Sequence, residues 1–97
     1  MHEQMSEILS NGVSEIDEQI RQIEAQMALH RPIVNKYEEL EFSGDPSYDW
    51  RKAEQLAKVM SNLECRVHLL QEVRSGMRDT LDYLHDLKRF EQRIAAQ

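Results

Sequence analysis

Apolar residues in the first half of the chain recur at Leu9, Val13, Ile16, Ile20, Ile23, Met27, Val34 and Tyr37, in steps of four and three. The one longer step is filled by His30, which takes the skipped seam position. Such a heptad stripe is the mark of a helix packed along another helix. The second half repeats it at Ala53, Leu56, Met60, Leu63, Val67, Leu70, Met77, Leu81 and Leu84, with Arg74 interrupting one place. Period-two alternation is missing over any useful length, so strands are not expected. The pattern predicts an all-α fold: a long antiparallel helical hairpin, coiled-coil-like, forming a single domain over residues 1–97.

The punctuation lies mid-chain, in "FSGDPSYDW". Gly44 suits a helix C-terminal cap, Asp45 an N-cap, and Pro46 the first position of a new helix. The expected elements are a helix over about 3–42, a turn at 43–46 and a helix over about 46–95. Two features interrupt the first helix. "SNG" before Ser14 and Asp17 reads as a stop and restart, so a separate short helix over residues 3–10 is an alternative to a continuous one. Pro32 inside the stripe removes a backbone hydrogen bond to Ala28 and predicts a kink.

In such a hairpin, residues whose numbers sum to about 90 lie opposite one another. Ile16 then faces the region of Arg74, and His30 faces Met60. With Val13 and Ala53 as heptad a positions, the c and g positions carry Leu29, Ile33, Leu40, Val59, Leu69, Val73, Leu87, Phe90 and Ile94. Together with a and d they widen the apolar stripe to about 160°, more than a two-stranded seam uses. The b, e and f positions hold mostly Glu, Asp, Arg, Gln and Ser. One face of the hairpin is therefore greasy, and a second hairpin covering it would complete a four-helix bundle. Leu29, Ile33, Leu40, Val59, Leu69 and Val73 are the expected oligomer interface. Leu87, Phe90 and Ile94 either pack on Met5, Ile8 and Leu9 or form a docking strip for a partner.

Composition narrows the function. The net charge is −6, and it all belongs to the first helix: residues 1–43 hold nine acidic and three basic side chains, while the remainder balances. An acidic chain is a poor ligand for a phosphate backbone, so nucleic acid is not an expected partner. Glu15 and Glu18 could instead meet a basic protein surface. No apolar run is long enough to span a bilayer, and the acidic start does not look like a signal peptide. The lone Cys65 cannot form an internal disulfide, which places the chain by expectation in the cytoplasm.

Chemistry is sparse. His30 is the seam histidine, and Glu64 with His68 share one face of the second helix. No Glu-x-x-His pair marks a di-iron bundle, and "DTLDYLHD" falls mainly on polar faces. No Gly-rich phosphate loop, nucleophile elbow or C-x-x-C occurs. Cys65 lacks an activating base apart from Arg66 and His68 nearby. The expectation is a protein without enzymatic activity, cofactor or metal. Arg74, opposite the Glu15–Asp17 region, reads as a device that fixes register.

Trp50 beside the turn is followed by Arg51 and Lys52, not by the W-x-G of small secreted helical hairpins. Tyr83 is followed four places on by Leu87 rather than an acid, so that family's tail motif is missing too. The functional expectation is a protein–protein interaction module, a homo-oligomeric (dimeric) hairpin acting as an adaptor or structural protein. The alternatives are a small acidic inhibitor of phage or mobile-element type that occupies a basic groove, and a helical-hairpin secretion substrate or chaperone. Tyr48 and Trp50 are expected in the first turn of the second helix, capping Tyr37, Leu40 and Phe42 at the bundle's end or serving as an aromatic contact.

Overall fold

The computed structural model describes residues 2–97. Two helices account for nearly all of them: α1, His2–Ser43, and α2, Trp50–Ala96. No strand occurs among the described residues. The fold is an all-α helical hairpin. Contacts divide the chain into two compact units, each built from a piece of both helices. The first is Met1–Gln19 with Leu70–Gln97; the second is Ile20–Leu69.

Within the first unit, Val13, Ile16 and Leu84 are buried; within the second, Ile20, Ile23 and Leu63. All six are heptad a or d residues, and they retain 5 to 9% of their exposure. No described side chain is wholly shielded. Two helices in contact leave each core residue with neighbours on one side only. Burial is therefore thin, and so is the hydrophobic stabilisation, which scales with apolar area removed from water.

Register in the first unit follows the antiparallel expectation. The Arg74 guanidinium donates from Nη1 to Asp17 Oδ1 at 2.7 Å, and Arg78 Nη2 lies 3.8 Å from Asp17 Oδ2. Lys88 Nζ reaches Glu3 Oε1 at 3.4 Å. Arg74 is thus tied to the α1 segment chosen for it by its place in the heptad.

The structure bears on three local expectations. Residues 10–13 do not break α1, which runs through them without interruption. Gly12 is instead a point of close approach: a Cβ there would lie 2.9 Å from Met77 Cε. Glycine's cost in a helix interior is about 1 kcal/mol, and here it leaves room for the end of the Met77 side chain. α1 also runs through Pro32 as one helix, in keeping with the expected span to about residue 42. Ala28 and Pro32 are both exposed, so water can satisfy the carbonyl that loses its intrahelical donor.

One expectation is corrected: α2 starts at Trp50 and not at residue 46. Gly44, at φ 68°, closes α1 with a Schellman motif: Gly44 N–H donates to Glu41 O at 3.2 Å and Asp45 N–H to Leu40 O at 3.1 Å. The Asp45 carboxylate then turns to Ser47, accepting from its backbone N–H at 2.8 Å and from its hydroxyl at 2.6 Å. Those two bonds hold the Asp45 carboxyl below its ordinary pKa. Pro46 occupies the second place of a β-turn closed by Tyr48 N–H to Asp45 O at 3.0 Å. With Asp45 so engaged, Asp49 becomes the N-cap, accepting from Arg51 N–H at 2.9 Å.

Candidate interaction surface

The second unit carries apolar grooves along both sides of its seam, and their charges differ. On one side Ile33, Tyr37, Leu56 and Val59 form the floor, with Lys52 and Gln55 on the rim. The depression continues over Pro32, Lys36 and Leu40, sharing Ile33 and Tyr37 with the first part. Its charged lining residues are two lysines. On the other side Tyr37, Tyr48, Ala53 and Leu56 are flanked by Glu38 and Glu41. The heptad explains the division. Ile33, Leu40, Lys52 and Val59 are g residues, whereas Glu38 is at e and Glu41 at a, across the seam.

The residues expected at an oligomer interface are placed as follows. Leu29, Ile33, Val59 and Leu69 are exposed in the second unit, Leu29 retaining 75% of its surface. Leu40 is half-buried in the groove wall. Val73 is exposed in the first unit. Of the candidates for partner contact, Leu87 is half-buried, and Phe90, Ile94, Glu15 and Glu18 are exposed. The expected packing of the α2 end on the α1 start is incomplete. Met5 stays exposed, as do Phe90 and Ile94, and Ile8 keeps 65% of its surface.

At the turn the two aromatics part company. Tyr48 precedes α2 and rests against Tyr37, with ring centroids 6.3 Å apart and planes tilted by 55°. Desolvation raises the Tyr48 phenol above its ordinary pKa, and the negative charges of Glu41 and Asp49 add to that rise. Trp50 opens α2 and is 60% exposed, its ring facing the Arg51 guanidinium carbon at 5.4 Å. Phe42 is 93% exposed. The expectation that Tyr48 and Trp50 together cap Tyr37, Leu40 and Phe42 is therefore corrected. Tyr48 covers Tyr37; Trp50 and Phe42 face solvent. The cause is the shifted N-cap, which leaves Tyr48 in the turn, and the b position of Phe42, which points away from the seam.

His30 is half-buried, and its Nδ1 is shielded from solvent without a hydrogen-bond partner. No group of three or more His, Cys, Asp or Glu among the described residues could hold a metal ion. Cys65 is a free, exposed thiol. No helix among the described residues is long and apolar enough to cross a membrane.

Sequence gives the two lysines of the groove no role, and it names Phe42 only as a residue to be covered by Tyr48 and Trp50. Lys36 and Lys52 stand at c and g positions beside apolar residues, so the signal was present in the heptad assignment. Exposure of Phe42 follows from its b position in the same way. A scan against protein-family models, a search of curated proteins and a search of solved structures each return no match.

Proposed function

We propose that this chain is a non-enzymatic protein–protein interaction module, a homo-oligomeric helical hairpin serving as an adaptor or structural protein. The observation that carries this reading is the row of c and g residues, Leu29, Ile33, Val59, Leu69 and Val73, all exposed on helices whose own seam buries only six side chains well among the described residues. Single exposed apolar residues are ordinary on protein surfaces. A heptad-spaced set is what an interface between helices requires. The hairpin's thin core supports the same reading, since a second hairpin would add the apolar burial that ordering nearly a hundred residues calls for.

Trp50 and Phe42, exposed near the turn, supply contacts for a different protein, because large aromatics carry much of the binding energy where interfaces have hot spots. Sedimentation at micromolar concentration tests the oligomeric reading. A dimer is expected; a stably folded monomer at that concentration overturns it.

A further inference from the structure

The side of the second unit that its seam leaves open carries charge of one sign. Over residues 20–43 and 50–69 the c and g positions hold Lys36, Lys52 and Arg66 and no acid, although the whole chain carries −6. All three cations are exposed and form no ion pair among the described residues. On the same side Leu29, Ile33, Val59 and Leu69 are exposed. The groove floored by Ile33, Tyr37, Leu56 and Val59 has both lysines in its lining. The c and g positions of the first unit differ: over residues 3–19 and 70–96 their one charged residue is Glu15.

From this placement we infer that the open side of the second unit is a docking groove for an amphipathic helix of another protein, one whose apolar stripe is flanked by acids. A second copy of the same face would set Lys36, Lys52 and Arg66 against their own counterparts, and like charges brought together at an interface cost several kcal/mol. The first-unit face of a second copy offers only Glu15 to three cations. An anionic bilayer matches the charge but not the shape, since a flat surface does not fill a groove between helices, and a chain of net charge −6 is repelled by it. An amphipathic helix lays its apolar residues into such a groove. Lys52 and Arg66 lie about four turns apart on α2, roughly 21 Å, and that sets the length of the fitting partner. Apolar burial supplies adhesion, while the cations select and orient the partner. The inference goes beyond the oligomeric reading above, because it names a different partner for this face. Self-association is left the nearly uncharged face of the first unit, Val73 included.

Two synthetic helical peptides of about four turns test it on the full chain. Both have leucine at heptad a and d positions; one has glutamate at the flanking e and g positions and the other lysine. Binding is read by fluorescence anisotropy, and sedimentation is run on the same samples. At about 0.15 M salt, where charges farther apart than roughly 8 Å are largely screened, the glutamate peptide is expected to bind about tenfold more tightly than the lysine peptide. Lys36→Glu with Lys52→Glu is expected to reverse that preference. Arg31→Glu with Lys58→Glu makes the same change in net charge at e and f positions and is expected to preserve it. All four residues are exposed, so circular dichroism of both double variants should match wild type.

Equal affinity for the two peptides, or no saturable binding of the glutamate peptide, overturns the inference. Reversal by Arg31→Glu with Lys58→Glu also overturns it, because net charge would then select the peptide without this face. If the glutamate peptide binds only by splitting a dimer into monomers, the face belongs to a second copy. Binding to phosphatidylserine vesicles that Lys36→Glu with Lys52→Glu abolishes, without peptide binding, gives the face to a membrane instead. A folded monomer that binds the glutamate peptide with the expected preference supports the inference and overturns the oligomeric reading alone.

Discussion

Asp17 and His30 show how differently two polar residues can stand along one seam. Asp17 lies at its edge and accepts from Arg74 at 2.7 Å, with Arg78 close to its other oxygen. Both ends of the Asp17–Arg74 pair remain about one-third exposed, so solvent screens it. Its value lies more in fixing register than in stability. His30, at a d position, has a ring nitrogen shielded from water with no partner. A buried polar atom left unsatisfied costs about 1–3 kcal/mol, whereas an apolar residue of similar size incurs no such penalty. His30→Leu is therefore expected to raise stability by about 1 kcal/mol, read as an upward shift of the urea midpoint with unchanged m-value. A fall in stability would show that the imidazole makes a favourable contact in the folded protein. The Arg74 pairing was legible from sequence, because heptad register fixes which residues meet. The orphaned nitrogen was not, since a period places a side chain but does not say whether each of its atoms finds a partner.

At the scale of elements, the helices were legible and their junction was not. Steps of three and four residues survive Gly12 and Pro32, and α1 runs through both. Tertiary contact at Gly12 outweighs the local preference to stop there. At the junction two aspartates, Asp45 and Asp49, were both able to cap α2. Propensity alone favoured the one before proline. What decides is the engagement of Asp45 with Ser47 and the turn that Pro46 makes. Gly44 is the residue on which the junction depends, because at φ 68° a Cβ is strained even though there is open space around it. Gly44→Ala is expected to cost about 1 kcal/mol, seen as a lowered thermal midpoint with helicity retained. That loss should persist across pH. The Asp45 contribution behaves differently: its carboxyl pKa is depressed in the folded state, so its stabilisation is present above the unfolded value of about 4 and is lost as pH falls through the folded one. Comparing wild type with Asp45→Asn at neutral pH and at pH 2 to 3 separates the two. Their stability difference should narrow in acid, and a constant difference would exclude an ionic role for Asp45 in the turn.

For the whole molecule, the decisive quantity is how much apolar surface the folded chain leaves uncovered. Periodicity distinguished the greasy side of each helix from the wet side and the a and d seam from its c and g flanks, yet could not say which seam residues would be well buried. Six a and d residues form the buried core of the described residues, and of the apolar c and g residues all but half-buried Leu40 and Leu87 stay in solvent. A protein whose folded state is completed by a second copy gains stability by mass action, because association removes monomer from the unfolding equilibrium. The thermal midpoint should therefore rise by several degrees as protein concentration is raised a hundredfold, and a monomer would show no such rise. Val73→Glu probes the same linkage from the other direction. Val73 is exposed in the chain by itself, and a surface substitution of this kind normally moves stability by about 0.5 kcal/mol or less. If instead the residue is buried between copies, a carboxylate there must be desolvated without a partner, which opposes association strongly. The expected outcome is loss of the concentration dependence, with a midpoint near the dilute limit of the wild type and reduced helicity at micromolar concentration. A variant that melts and sediments as wild type would leave Val73 on an open surface and confine any interface to the groove around Ile33 and Val59.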